Sequence, residues 1–266
     1  MTVPADYFYE PLGSTPTGAL FRSTAATAGP WGPTAQHGGP PAALLARAIE
    51  CLDEGAPRQV GRFTMDLLGP VPVGEVSVSA TLLRPGRTVS LRQAEIADAS
   101  GRVVARAQAW TFPEVEGAGH SGVPPAQRPA HGVHEDPPAS WSRGYLDAIE
   151  WRWIEGTING PGRAKVWMRP LVPLVPDEVM SPLQRLLTCV DSASGVSAVL
   201  DLAQWQFMNT ELTVHVLRPL VGEWVCLDAE TVIGPGSVGL ATSAAYDESG
   251  LVGRSAQALL VSPKPS

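Results

Sequence analysis

His37-Gly38-Gly39 stands directly before Pro40-Pro41-Ala42-Ala43-Leu44-Leu45, and this is the stretch of the 266-residue chain best suited to chemistry. Two glycines let a carbonyl oxygen approach the backbone, and N–H groups at a helix start point at developing negative charge. The same tripeptide also serves as a loop-to-helix turn in which glycine relieves strain. Asp191, in DSASGVSAVLDL, is expected to cap or open a second helix. As an N-cap it contributes about 1 kcal/mol; as an ionised carboxylate it is a general base. The first helix carries no carboxylate before Glu50.

Other motifs fail on context. Gly234 to Gly239 matches G-x-G-x-x-G, but the residues after it alternate and lead to a hairpin turn, where a dinucleotide site needs a helix. Gly119-His120-Ser121-Gly122 misses G-x-S-x-G. His131 and His134 have metal-like spacing but sit in a Pro/Gly-rich stretch without further ligands. Cys51, Cys189 and Cys226 are widely spaced and form no C-x-x-C. No metal and no cofactor are therefore expected, and the odd, scattered cysteines fit free thiols in a reducing cytoplasm.

Nineteen Lys and Arg against 26 Asp and Glu give a net charge of −7, which argues against a nucleic-acid partner. Hydrophobic residues make up 44% and charged ones 17%, a globular balance. No apolar run is long enough to span a membrane. Met1-Thr2-Val3-Pro4-Ala5-Asp6 has neither a basic nor an apolar leader segment, so no secretory signal is expected.

The elements that must position these residues come in two copies. Phe63 to Phe112 and Leu212 to Val261 share their turn punctuation: Pro70 and Pro219, Gly74-Glu75 and Gly222-Glu223, Asp98 to Gly101 and Asp247 to Gly250. At a constant shift of 149, Thr64 meets Thr213, Leu91 meets Leu240 and Gln108 meets Gln257. Val76 to Leu82 alternates as a half-buried strand does. Asp-x-x-Gly marks hairpin turns. Helices are predicted over Pro40–Leu52 and Asp191–Leu202, each after a shorter strand, Ala19–Thr24 and Ala164–Arg169. His215 lies mid-strand in an apolar run and reads as a core or interface histidine. Trp151, Trp153, Trp167, Trp205 and Trp224 read as packing residues. The division expected is residues 1–115, a Pro/Gly-rich linker 116–144, and residues 145–266.

With Gly29-Pro30-Trp31, His37 to Leu44, Asn209 to Val214, Arg218-Pro219, Gly222-Glu223-Trp224 and Ser255-Ala256-Gln257, the chain resembles the TesB-like type II acyl-CoA thioesterases over nearly its whole length. The resemblance implies an α+β double hot-dog, two tandem halves each with a long helix wrapped by an antiparallel sheet. It implies hydrolysis of acyl-CoA to free acid and CoA by an activated water, in lipid metabolism. The family's Asp maps onto Asp191 and its Gln onto Gln257. Its Thr position falls on Asn209, with Thr210 adjacent. His37, Gly38 and Gly39 correspond to an oxyanion or substrate-binding turn. Gln108 is then a relic of duplication or a polar group of a degenerate second site. Arg218 is a candidate for the CoA phosphates, and one or two tryptophans for an acyl tunnel. Acyl-CoA is the expected partner, and homo-oligomers of such chains are compatible. Two other readings stay open: a non-catalytic acyl-CoA or lipid-binding module, and a hot-dog enoyl-thioester hydratase or dehydratase. The latter needs an Asp–His pair, for which His215 is the second-half histidine available.

Overall fold

The computed structural model describes residues 5–264 apart from 53–54, 56, 116, 118, 120–124, 126 and 202–203. Met1 to Pro4 of the leader reading, His120 to Gly122 of the near-miss serine motif, and Leu202 at the end of the second expected helix lie outside the described residues. The first half runs β1 (Tyr9–Thr15), β2 (Gly18–Ser23), α1 (Gly39–Glu50), β3 (Arg58–Leu67), β4 (Glu75–Arg84), β5 (Ser90–Asp98) and β6 (Val103–Pro113). The second runs α2 (Gly144–Ala148), β7 (Ile149–Glu155), β8 (Ala164–Pro170), α3 (Pro182–Val190), α4 (Ala193–Val196), β9 (Trp205–Asn209), β10 (Glu211–Val216), β11 (Val225–Ile233), β12 (Val238–Asp247) and β13 (Gly250–Pro263). Two strands, not one, precede each main helix.

All strands join one antiparallel sheet in the order β1-β2-β4-β5-β6-β3-β10-β13-β12-β11-β8-β7, with β9 paired to β13. The seam is the β3–β10 pair, where Thr64 lies opposite Thr213. These are the same position of the two repeats, and an antiparallel pair matches a residue with its own copy only on a twofold axis. One chain thus builds the double hot-dog. The counterpart of continuous β3 is β9 plus β10, broken at Thr210; the equivalent Gly61 sits in a register shift between Val60 and Arg62.

α1 and α3 cross the sheet side by side and antiparallel. The start of α1 lies at the end of α3, since a Cβ on Gly39 would stand 2.2 Å from the Thr188 carbonyl oxygen. The end of α1 meets the start of α3, where Glu50 accepts from Ser181. Leu44, Leu45 and Ile49 of α1 are buried, each contributing about 1.5–3 kcal/mol of transfer free energy. Trp151, Trp153 and Trp167 are buried as expected, while Trp205 and Trp224 are half-buried.

Three local expectations need correction. The second main helix does not begin at Asp191; it ends there. Ser181 caps α3 with its hydroxyl on the Gln184 N–H, Gln184 reaches back to the Ser181 N–H, and Pro182 takes the first helical position. This capping box sets the start at Pro182, nine residues earlier.

His215 is exposed, not in the core. Its neighbour Val214 points inward, so the alternation of β10 turns His215 outward.

Gln108 is not the structural counterpart of Gln257. The Asp98 N–H bonds the Arg102 carbonyl across three residues, whereas Asp247 pairs directly with Gly250 across two. That one-residue difference turns the following strand over. Gln108 therefore pairs with Thr64, as Ala256 pairs with Thr213. Gln257 is buried, while Gln108 is half-buried and donates to Gln93 at 3.0 Å.

Candidate active site

Asp191 is the C-cap of α3, and its side chain is 4% exposed. A carboxylate removed from water needs donors, and two amides supply them. Asn209 Nδ2, at the end of β9, donates to Asp191 Oδ1 at 2.7 Å. Gln257 Nε2, on β13, donates to the same oxygen and to the Asp191 carbonyl, each at 3.0 Å. Gln257 is itself oriented, because its Oε1 accepts the Ser194 N–H at the start of α4. Oδ1 is thus held by amides, and Oδ2 is the oxygen turned to the other half of the chain.

There it meets His37, whose Nδ1 stands 3.3 Å from Asp191 Oδ2. The same Nδ1 accepts the Gly39 N–H at 3.1 Å. The backbone contact needs a lone pair on Nδ1, and the carboxylate contact needs a proton between the two atoms. The pair therefore provides two alternative seats for one proton. The His37 ring stacks on Tyr145, with centroids 3.7 Å apart and planes 2° from parallel. Tyr145 donates to the Thr188 carbonyl at 2.7 Å and lies 3.0 Å from the Ser192 hydroxyl, which fixes the ring beneath His37. Burial pushes the Tyr145 phenol well above its ordinary value, so it stays a donor.

Asp191, Asn209, Gln257 and His37 come together from both halves. Thr210 does not join them: it is exposed and its hydroxyl lies on the Ala258 carbonyl at 3.3 Å. Gly38 and Gly39 lie at the site, but the expected row of helix-start donors is short. Pro40 and Pro41 have no N–H, and the Gly39 N–H is bonded to His37. The other glycine N–H of this turn is that of Gly38. Sequence reasoning missed Tyr145, Ser194 and an aromatic wall. Trp31 packs 5.7 Å from Trp141 and 6.1 Å from Phe207, which shares the face of β9 with Asn209. Nothing in the sequence singled out Tyr145.

Arg218 is occupied elsewhere, by two bonds to Asp247 at 2.5 and 2.6 Å. The histidines of the linker are not gathered either: His131 Nδ1 accepts the Arg128 N–H, and His134 lies 3.7 Å from Asp136.

The site carries two expected results. Burial lowers the His37 imidazole below its ordinary value, against an opposing pull from Asp191. Unfolded His37 then gains its proton at a higher pH than folded His37, so the unfolded state binds more protons below about pH 6.5. Stability should fall as pH falls from 7, by up to about 1.4 kcal/mol per pH unit from this group. Urea unfolding across pH 5–7.5 should show a shallower slope in His37→Gln; an identical slope refutes it.

The glycines should separate stability from activity. A Cβ on Gly38 would come within 2.7 Å of Asp191 Oδ2, so Gly38→Ala should displace the carboxylate and cost up to about 10²-fold in turnover. A Cβ on Gly39 would meet backbone at 2.2 Å, so Gly39→Ala should prise α1 from α3 and cost about 1–3 kcal/mol or more. Melting curves and turnover of the two variants check both; equal melting temperatures would refute the second.

Models of one protein family match both halves: an acyl-CoA thioesterase N-terminal domain over residues 27–112, and an acyl-CoA thioesterase C-terminal domain over residues 125–261. Among solved structures, the chain is similar to a hot-dog protein of unknown function from Alicyclobacillus acidocaldarius, at 16% identity and TM-score 0.73, covering 94% of this chain and 95% of that one. It is similar to the acyl-CoA thioesterase II TesB2 of Mycobacterium marinum, at 19% identity and TM-score 0.66, covering 93% of each. The tesB protein of Mycobacterium avium subspecies paratuberculosis gives 19% identity and TM-score 0.66, covering 95% of this chain and 96% of that one. These likenesses show the fold. No curated protein matches. No helix among the described residues is long and apolar enough to cross a membrane.

Proposed function

The chain belongs to the acyl-CoA thioesterase family, and from that premise we propose that it hydrolyses an acyl-CoA thioester with a water activated by Asp191. The observation that carries the reading is the Asp191 carboxylate, fixed through Oδ1 by Asn209 and Gln257 and presenting Oδ2 to the seam between the halves. Two amides on one oxygen set the direction of the other, which is what a general base must have before the substrate arrives. Water held at Oδ2 attacks the thioester carbonyl carbon and gives its proton to the carboxylate. The carbonyl oxygen becomes an oxyanion facing the Gly38 N–H. The C–S bond then breaks, the acid leaves, and the proton returns to the thiolate of CoA, with His37 as its second seat. The acyl chain lies along Phe207, Leu259 and Val261, beside Trp31, where apolar side chains continue from Asn209.

Arg218 has no part in holding the CoA phosphates, because its guanidinium is bonded to Asp247. One competent site per chain follows, because Gln108 faces away from the helices. Gln108→Ala should leave kcat within about 2-fold of the parent, as surface changes away from special features do.

One observation favours a second reading. The Asp–His pair that a hydratase requires is present, formed by His37 of the first half and not by His215. Incubation with saturated and 2-enoyl-CoA thioesters, followed by a disulfide indicator dye and by absorbance of the enoyl group, separates the readings. Thiol release from saturated acyl-CoA is the expected result. Loss of enoyl absorbance without thiol supports the hydratase, and binding without turnover a carrier module; either overturns the proposal.

A further inference from the structure

The outer face of the sheet, turned away from α1 and α3, is divided by charge. At the seam Arg62, Thr64 and Asp66 of β3 stand opposite His215, Thr213 and Glu211 of β10. At the shift of 149 that relates the halves, Arg62 answers to Glu211 and Asp66 to His215. Equivalent positions therefore carry opposite charges. The Arg62 row continues through His215 to Arg254 on β13. Cations directly opposite one another on neighbouring strands repel. Among the described residues none of the three has an ion-pair partner, and Arg62 Nε is buried without an acceptor. In the first half the place of Arg254 is taken by Arg106, which has Glu95 at 2.6 Å; in the second half Ala244 stands where Glu95 would be. Beyond the threonine row, Asp66 is exposed beside Arg106, which Glu95 already holds. Glu211 accepts from the Thr213 hydroxyl and the Ala258 N–H, both uncharged. One side of the seam is thus cationic and the other anionic.

Apolar patches lie at two opposite corners of the same face. In the second half Val232, Val238, Leu240, Leu260 and Met208 are exposed on adjoining strands. Val232 pairs with Leu240, Val238 with Leu260, and Leu260 with Met208. In the first half Phe112 lies across Gly61, two residues along β6 from Trp110. Phe112 and Leu260 are equivalent, each four residues beyond the strand partner of a seam threonine. Elsewhere the chain covers this face itself. Trp167 of β8 also points outward but is fully buried, and its indole N–H donates to the Gln127 carbonyl at 3.0 Å. The two corners have no such cover among the described residues.

This pattern is complementary to itself. A half-turn about an axis in the plane of the sheet, along the diagonal through the seam and both corners, lays each apolar patch on its own copy. The same half-turn lays the cationic side on the anionic side. That is the requirement of an isologous contact. The seven strands from β5 to β11, at about 4.8 Å apart and over about eight residues each, offer a face on the order of 900 Å². A stable interface takes about 800 Å² from each partner. We propose that a second copy of this chain docks there, sheet against sheet, with both Asp191 sites on the outside of the dimer. The inference stands on strand register and charge and does not depend on what Asp191 does.

The test uses the full chain, with light scattering behind size exclusion over a range of concentrations. A mass of twice the 28.0 kDa of one chain is expected, with the dimer weakening as salt rises. Arg62→Glu and Asp66→Arg should each raise the dissociation constant by about 10-fold or more, because each sets like charges face to face. An equal mixture of the two variants should dimerise again, since every reversed charge then meets an opposite one. That recovery also shows that both variants are folded. Hydroxyl-radical footprinting of the parent needs no variant: Trp110, Phe112, Met208 and Leu240 should be protected on dimerisation, and Trp31, on the helix side, should not. A single-chain mass at every concentration, a dimer that neither variant weakens, a mixture that stays monomeric, or a dimer with those four residues unprotected would overturn the proposal.

Discussion

Asp191→Asn is expected to lower kcat for thioester hydrolysis by about 10²–10⁴-fold, the range for removing a positioned general base. The asparagine keeps an acceptor for Asn209 and Gln257, so the α3–β9–β13 junction has its hydrogen bonds and the chain should fold. What it lacks is the second oxygen with a lone pair basic enough to take a proton from water. Asp191→Ala should lose as much turnover and some stability besides, because Gln257 and Asn209 then have no carboxylate to donate to. Thiol release at saturating acyl-CoA, with melting curves alongside, checks both. Full turnover in a folded Asp191→Asn protein would reduce Asp191 to the cap of α3.

The fold was legible because duplication writes itself into turn punctuation. The match of Thr64 with Thr213 in sequence is the match that the seam makes in space. The site was legible in part. The sequence singled out Asp191, Asn209, Thr210 and Gln257; the structure brings Asp191, Asn209 and Gln257 together, and Asn209 rather than Thr210 reaches the carboxylate. What failed to show was anything set by a single residue of register or by contact between halves. The hairpin after Asp98 spans one residue more than the one after Asp247, and this alone puts Gln108 on the far face. No periodicity records that, since both strands alternate equally well. The start of α3 was written in Ser181-Pro182-Leu183-Gln184, a capping box, but the apolar run after Asp191 drew the helix too late. The resemblance places His37 with Gly38 and Gly39 in an oxyanion or substrate-binding turn, and nothing in the sequence pairs it with a carboxylate. Its pairing with Asp191 joins residues 154 positions apart, brought together by the antiparallel α1–α3 packing.

Arg218→Ala should destabilise the second half strongly, because it strips a buried carboxylate of its charged partner. Asp247 is fully buried, and five donors converge on it: two from Arg218 and the N–H groups of Val221, Ser249 and Gly250. Burial raises the Asp247 carboxyl, but Arg218 and the N–H groups of Val221 and Ser249 outweigh it and hold the carboxyl below its ordinary value. Removing one partner of a buried pair typically costs about 3–5 kcal/mol, because the other charge stays behind. The three backbone donors remain, so the lower end, about 3 kcal/mol, is expected here. The sign with pH follows from the lowered carboxyl. Its contribution is present above the unfolded value near 3.9 and is lost as pH falls through the folded one. The gap between parent and variant should therefore be widest at neutral pH and narrow below about pH 4. The first half supplies the control. Asp98 occupies the same hairpin position with Arg102 at 3.3 Å, but that pair faces solvent, so Arg102→Ala should be nearly neutral. Urea unfolding of Arg218→Ala and Arg102→Ala at pH 7 and at about pH 3 decides it. If the two variants lose equal stability, the Asp247 junction is not the anchor that ties the β12–β13 turn to the loop after β10.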